Sequence, residues 1–525
     1  MKKSLFLLLI LFVNSIHSQT QFHFRYGTTF KDESQKVIQT KDGNFIVVGQ
    51  TNGFGSAGNA FMMKVNPVGT TIWIKDYSGI NADKIMDIIE LGDNKLVVCG
   101  YTGSFGAGST DGFVMKTDSL GNMIWAKAYG NILGDFFYRI SSDGSNGFFV
   151  AAYAQDSVNT EGASILRLDI DGNILWKKWI NTTVNVGLDM TPISTGGVLL
   201  CVSPGSTGPD VSCWKFSNTG ALVWSAKYTS NPTASSGLAG ISVLENSVGE
   251  ILINFSVLNP TTIVKSLDNC VLKLNSTGGI LWYKSYGGIY TDWAKTISNT
   301  NDGGIVMCGF TNSAGNGDYD ACLIKLDYGG NIQWSKAYGT VWAEEPTNAI
   351  QTSDKGFIFT GLTFSYGSSL DSSKIHLVKT DSLGNSSCNS IAWTPSVVTQ
   401  NANSSGALSV KNFHYIENNI TWGVNNRVFY NKNICSFSGI NSISSVSFDL
   451  KIYPNPNNGS FQIQIDKEIE NSEFILFNSI GQKVHEQRLS QVENNINTIN
   501  LPSGLYHYVV LQNKQWKLSG KLTIE

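Results

Sequence analysis

The chain has 525 residues, of which 37 are Lys or Arg and 40 Asp or Glu, so its net charge is -3 and only 15% of it is charged. That balance leaves no electrostatic footprint for nucleic acid. A charged fraction well below the roughly 25% of ordinary soluble domains, together with 53 glycines, argues for an exported β protein and against a cytosolic helical one.

Residues 1–19 open with Lys2 and Lys3, continue with an apolar run from Leu5 to Val13 and end in small polar residues. This is the layout of a secretory signal peptide, and the run is too short to cross a bilayer. No other stretch reaches the length of a transmembrane segment, so the processed chain is expected to be soluble or attached to a surface by other means.

From residue 20 to 390 one pattern recurs. Tryptophan returns at Trp73, Trp125, Trp176, Trp224, Trp282 and Trp334, and a seventh copy carries Cys388 in its place. Four residues before each stands a glycine: Gly69, Gly121, Gly172, Gly220, Gly278, Gly330 and Gly384. Three residues earlier stands a short polar residue: Asn66, Asp118, Asp169, Ser217, Asn275, Asp327 or Asp381. A polar residue opening a turn that a glycine closes at positive φ makes a tight hairpin. In the second copy the pattern predicts four strands, over 84–90, 95–101, 112–117 and 122–128. The third is apolar on both faces in every copy, as in Val114-Met115 and Leu323-Ile324, so it is covered on both sides.

Four-stranded units of about 50 residues that need neighbours on both sides are propeller blades. The fold class expected is therefore all-β, a seven-bladed β-propeller followed by a small C-terminal antiparallel β-sandwich. The seventh copy lacks its last strand after Gly384, and Phe22-His-Phe-Arg-Tyr-Gly27 supplies the missing pattern. Closing the ring with it would bury the last free edge and bring His23 to His376.

Nine residues before each marker stands a cation: Lys64, Lys116, Arg167, Lys215, Lys273, Lys325 and Lys379. One reading is a basic ring around a ligand channel. The other is a repeated bond to an acid or to carbonyls, with Asp32, Asp83, Asp135, Asp292 and Glu345 at the starts of the first strands as candidate acids. The repeat region holds only two histidines, so nothing nominates catalytic, cofactor-binding or metal-ligating residues. Asp169-Ile-Asp-Gly172 resembles the opening of a calcium loop but falls in register with the hairpin turns and lacks the loop's closing glutamate, so it reads as a turn. Cys99, Cys308, Cys270 and Cys322 occupy strand positions of buried thiols, whereas Cys388 and Cys435 are expected to form a disulfide that clamps the connector to the last blade.

Residues 391–447 read as that connector, with short strand-like runs over 406–415, 418–422 and 427–430 and a Ser-rich link at its end. Residues 448–525 form a different module. It carries Ile452-Tyr453-Pro454-Asn455-Pro456 with Gly459, then Phe474-Ile-Leu-Phe-Asn-Ser-Ile-Gly481, then Leu501-Pro-Ser-Gly504-Leu-Tyr506, and it ends in Gly520-Lys-Leu-Thr-Ile-Glu525. These motifs resemble the type IX secretion system (type A) sorting domain of the Bacteroidetes, and the region before them resembles the propeller repeats that often precede it. The resemblance implies inner-membrane export, outer-membrane passage by that secretion machinery, and then release or surface anchoring. Alternation of Phe461, Ile463 and Ile465 independently indicates a sandwich.

The reading is a secreted or surface-attached, monomeric, non-enzymatic adhesion module that binds an extracellular glycan or protein and needs no cofactor. A polymer-degrading enzyme of glycosidase or lyase type is the alternative, and a structural spacer in a surface layer the second. An enzyme would gather carboxylates with shifted pKa in one pocket at the propeller mouth, whereas a binder would show exposed aromatic or loop surfaces there.

Overall fold

The computed structural model describes residues 19–55, 57–155, 161–182, 187–203, 210–231, 241–258, 266–315, 318–340, 342–365, 373–406, 408, 410–411, 415–434, 450–465, 472–478, 483–512 and 515–525. The signal-peptide region, Cys435, the Ser-rich link and Gly481 lie outside them. Two compact units are present, residues 1–435 and 436–525. Among the described residues the backbone forms strands and turns only, and no helix is long and apolar enough to cross a membrane.

The first unit is a seven-bladed β-propeller. In the second copy the strands run Asp83–Glu90, Leu96–Thr102, Asp111–Thr117 and Met123–Gly130, within two residues of the sequence reading. The first strands of successive blades touch one another all round the ring, with Glu344–Gln351 of blade 7 against Asp32–Gln39 of blade 1. Third strands are mostly buried, and Asn59–Val65 and Asp320–Leu326 along their whole length, because neighbouring blades cover both faces.

Blade 7 closes as expected. Phe22–Gly27 pairs antiparallel with Lys374–Thr380, setting Phe22 opposite Lys379 and Arg25 opposite His376. The register matches the marker position, since Trp125 faces Lys116 in the same way.

The described residues between 390 and 433 run once around the outside of this ring. Ser390–Ala392 adds to the outer strand of blade 6, Ser396–Thr399 to blade 5 and Asn401–Gly406 to blade 4. Lys411 exchanges two backbone hydrogen bonds of 2.8 Å with Trp179 of blade 3. Ile416–Asn419 then adds to blade 2, Gly423–Asn426 to blade 1 and Tyr430–Asn433 to blade 7. The short runs of the connector are thus the outermost strands of the blades, forming a belt that pairs edges otherwise open to association with other strands. Tyr415, Trp422 and Phe429, seven residues apart, are buried between blades, with Trp422 against Phe105 and Phe113.

The second unit is a small β-sandwich. One sheet holds Leu450–Tyr453, Ser460–Ile465 and Glu493–Asn497, and the other is centred on Ser472–Phe477 and Gly504–Gln512. Phe461, Ile463 and Ile465 point inward with Phe474, Tyr506 and Val510.

Candidate functional site

The marker residues prove to be joints between blades. Each tryptophan lies over the hairpin-turn glycine of the next blade: a β-carbon on Gly121 would stand 3.1 Å from Trp73 Cη2, and one on Gly172 2.9 Å from Trp125 Cη2. Positive φ and this close approach both demand glycine there. In the same stride the tyrosine four residues after every marker tryptophan except Trp176, where Ile180 stands instead, donates to that glycine's carbonyl. Tyr77 bonds Gly121 O at 2.7 Å, Tyr129 bonds Gly172 O at 2.6 Å and Tyr286 bonds Gly330 O at 2.8 Å. Tyr26 continues the series onto Gly69, so the closing strand joins blade 7 to blade 1 in the same way, although Phe24 covers Gly69 where a tryptophan would otherwise lie.

The repeated cations do not ring a channel, and they do not meet the acids proposed at the starts of the first strands. Their partners sit in the turn between the first and second strands of their own blade. Lys64 pairs with Asp42 at 2.6 Å, Arg167 with Asp143 at 2.7 Å, Lys273 with Glu250 at 2.7 Å, Lys325 with Asp302 at 2.9 Å and Lys379 with Asp354 at 2.9 Å. Lys215, whose turn has no acid, donates to Ser276 O at 3.4 Å. In blade 2 the turn acid Asp93 pairs with Lys95, while Lys116 is buried. A cation at the end of a buried strand reaches outward to the nearest turn, which is closer than the far end of the neighbouring strand.

The acids at the starts of the first strands belong to the opposite face. Asp32, Asp83, Asp135 and Asp292 are wholly buried, and in blade 7 the equivalent is Glu344, one residue before Glu345. Most accept a threonine hydroxyl from the second strand: Thr51 to Asp32 and Thr102 to Asp83 at 2.6 Å, Thr363 to Glu344 at 3.0 Å, and Thr311 to Asp292. Burial raises all their pKa values, those of Asp135 and Glu344 to about 7. These shifted carboxyls are spread over separate blade junctions, with Asp111 also raised beside Asp135, and do not converge on a single pocket. Among the described residues no three His, Cys, Asp or Glu side chains assemble into a metal-binding group.

Above them the loops that lead from each outer strand to the next blade expose apolar tips: Phe30, Ile80, Ile132, Ile289, Tyr290 and Trp342. Ile80 is 83% exposed and Ile132 74%, where loops of this kind ordinarily carry polar residues. All lie two or three residues before the buried acid of their junction, so they recur at one end of the blades and border one mouth of the propeller. Sequence reasoning missed them, although the constant offset from each first-strand acid was readable.

A cleft of about 480 Å³ lies on the other face, between blades 6 and 7, lined by Trp334, Gln333, Gln351, Phe357 and Leu383. Its acid, Asp302, is held ionised by Thr300 and Lys325, below its ordinary pKa, and so cannot serve as a proton donor near neutrality. His23 and His376 meet inside blade 7 with their Nε2 atoms 2.5 Å apart, both buried and both with lowered pKa. Cys99, Cys270, Cys308 and Cys322 are buried free thiols, and Cys388 is disulfide-bonded.

Residues 451–525 match the family described as the secretion system C-terminal sorting domain. In that unit Gly459 adopts φ 89° against Ile499, Asn455 Oδ1 accepts from Thr523 N at 2.9 Å and Tyr506 donates to Pro502 O at 2.6 Å, while Tyr453 and Gly504 are exposed. Tyr453-Pro454 and Asn455-Pro456 are cis. No curated protein matches the chain in sequence. Among solved structures, a Dyadobacter fermentans protein of unknown function is 11% identical, covers 68% of this chain and 98% of its own, and superposes with a TM-score of 0.38. The GH43 endo-arabinanase of Bacillus licheniformis is 11% identical over 56% of this chain and 91% of its own, with a TM-score of 0.28. A eukaryotic initiation factor is 8% identical over 72% and 98%, with a TM-score of 0.33. The sorting domain marks the protein for export, and it is secreted or attached to the cell surface.

Proposed function

We propose that the propeller is a non-enzymatic binding module, delivered by its sorting domain, which engages an extracellular glycan or protein through the mouth bordered by Phe30, Ile80, Ile132, Ile289, Tyr290 and Trp342. The observation that carries this reading is the recurrence of exposed apolar tips at one end of successive blades. Exposed apolar and aromatic side chains gathered on one surface are what a binding face offers. Against the enzyme alternative stands the burial of the shifted carboxyls, which are shut inside blade junctions where a polymer cannot reach them.

The type IX machinery is the export partner the C-terminal motifs imply. Binding of the processed protein to arrays of extracellular glycans and surface proteins, with hydrolysis measured in the same wells, tests the proposal. Capture without turnover, weakened at least tenfold by Trp342→Ala combined with Tyr290→Ala, is expected. Turnover of a polymer, or binding indifferent to those substitutions, refutes it.

A further inference from the structure

Four blade junctions share one recurring backbone bond. Asp32 N–H donates to Ser373 O, Asp83 to Gly58 O, Asp135 to Thr110 O and Glu344 to Tyr319 O, at 2.7–3.0 Å. The residue after each acceptor opens a third strand, so the bond places two side chains together: Lys374 beside Asp32, Asn59 beside Asp83, Asp111 beside Asp135 and Asp320 beside Glu344. What differs between junctions is the charge brought there.

Between blades 7 and 1 the pair is a cation and an acid, with Lys374 Nζ 3.9 Å from Asp32 Oδ2. Between blades 1 and 2 it is neutral on one side, Asn59 donating to Asp76 Oδ2 at 2.8 Å. Both members are buried acids between blades 6 and 7, where Thr363 donates to Glu344, and between blades 2 and 3, where both are 0% exposed. A β-carbon on Gly130 would lie 1.7 Å from Asp111 Oδ1 and 3.0 Å from Asp135 Oδ2, so the two carboxyls crowd one point of backbone.

This junction also lacks the donor that serves its counterparts. The residue opposite the acid is Thr51 in blade 1, Thr102 in blade 2, Thr311 in blade 6 and Thr363 in blade 7, and each hydroxyl donates to its acid. Opposite Asp135 stands Ala154. Each carboxyl keeps one bonded oxygen, Asp111 Oδ2 accepting from Gly108 N at 3.0 Å and Asp135 Oδ2 from Asn131 N at 2.9 Å. Asp111 Oδ1 is buried without a hydrogen-bond donor. Tyr415 of the belt turns its hydroxyl to Asp135 and closes the space from outside.

We propose that the junction of blades 2 and 3 binds a hard divalent cation of the calcium class through Asp111 and Asp135, at the position that Lys374 fills with its own ammonium between blades 7 and 1. Two carboxylates balance one divalent charge, hard cations prefer carboxylate and carbonyl oxygen, and extracellular calcium suits sites of modest affinity. Burial and the charge of Asp111 raise Asp135, which is the response of two buried acids that nothing neutralises.

The test uses the full processed protein stripped with EDTA and then given calcium chloride or magnesium chloride in the millimolar range. Calcium is expected to raise the unfolding temperature by about 3 °C at a hundred times Kd, and Asp111→Asn, close in shape, abolishes the rise. Equilibrium dialysis of the native protein should return one calcium ion per chain, and none for Asp111→Asn. An unchanged unfolding temperature with no bound ion overturns the proposal, as does a calcium response that survives Asp111→Asn. Stabilisation of the metal-free protein by Asp111→Asn with no calcium response in the parent shows instead that the two acids share a proton, and also overturns it.

Discussion

Removing one hydroxyl from an inter-blade tyrosine tests whether the repeat is held together at its joints. Tyr77 is wholly buried, and its hydroxyl gives Gly121 O its 2.7 Å bond. Tyr77→Phe keeps the ring and leaves that carbonyl unpaired in a buried site, at a cost of about 1–3 kcal/mol. Tyr286→Phe, across the equivalent 2.8 Å bond to Gly330 O, should cost a similar amount. Tyr430→Phe is the control, because Tyr430 is 78% exposed and substitution there should stay within about 0.5 kcal/mol. Urea unfolding followed by tryptophan fluorescence reads the propeller, since every tryptophan except Trp516 lies in the first unit. Unchanged midpoints for Tyr77→Phe and Tyr286→Phe would mean that the tyrosines merely fill space and that the tryptophan–glycine contacts alone join the blades.

The buried histidine pair should make closure acid-sensitive. Burial lowers His23 from 6.5 to about 4 and holds His376 well below its ordinary value, so the unfolded chain takes up protons that the folded one refuses; stability is complete above pH 6.5 and falls as the pH drops towards 4. His23 alone accounts for about 2 kcal/mol between pH 7 and 5. Glu344, raised to about 7, acts with opposite sign in the same range, so the measurement is the difference in pH slope between the parent and a His23→Phe, His376→Leu variant, and equal slopes refute the assignment. Cys388 and Cys435 are expected to be bonded to each other, stabilising by about 4 kcal/mol on the chain-entropy model, and labelling of both thiols in the unreduced native protein would exclude it. The belt places Ile434 N–H on His23 O at 2.7 Å, and Cys388 Sγ lies 4.0 Å from His23 Nδ1, which brings the two segments together. Trp422→Ala should cost about 3–5 kcal/mol through the cavity left beside Phe113, read by the same urea titration. Deleting residues 448–525 should strand the propeller in the periplasm, and fusing them to another exported protein should carry it to the surface. Immunoblots of cell fractions that find the truncated chain outside the cell at normal levels would refute that assignment.

Much of the propeller was legible because its signals repeat. Both-face apolarity at Val114-Met115 and its equivalents marks a strand covered on each side, and seven glycines at one offset mark one kind of turn. The closing strand could be read from Phe22 to Tyr26 for the same reason. The cation partners escaped because the search went to the start of the first strand, although Asp42, Asp143, Asp302 and Asp354 lie 22, 24, 23 and 25 residues before their cations. The belt was illegible for a physical reason. Each segment is three to six residues long, pairs along one edge only and exposes most of its side chains, so it carries neither periodicity nor a buried face. Only Tyr415, Trp422 and Phe429, at intervals of seven, betray contact with successive blades. The apolar tips of the mouth were missed because an isolated Ile or Trp in a loop is unremarkable until its register with the others is known.

The belt also links the fold to the protein's destination. Blade 7 takes its strands from both ends of the propeller sequence, since Phe22–Gly27 lies between Lys374–Thr380 and Tyr430–Asn433. The ring therefore cannot close until residue 380 is available, and the outer edges stay unpaired until the belt, which ends at residue 433, has passed them. Long-range closure of this kind is slow relative to local hairpins, because the loop entropy must be overcome before the pairing is gained. The sorting unit begins directly after the belt, so only a chain long enough to complete the propeller carries the address for export. Placing the address after the closing segment excludes from the surface those truncated chains whose exposed strand edges would pair with one another.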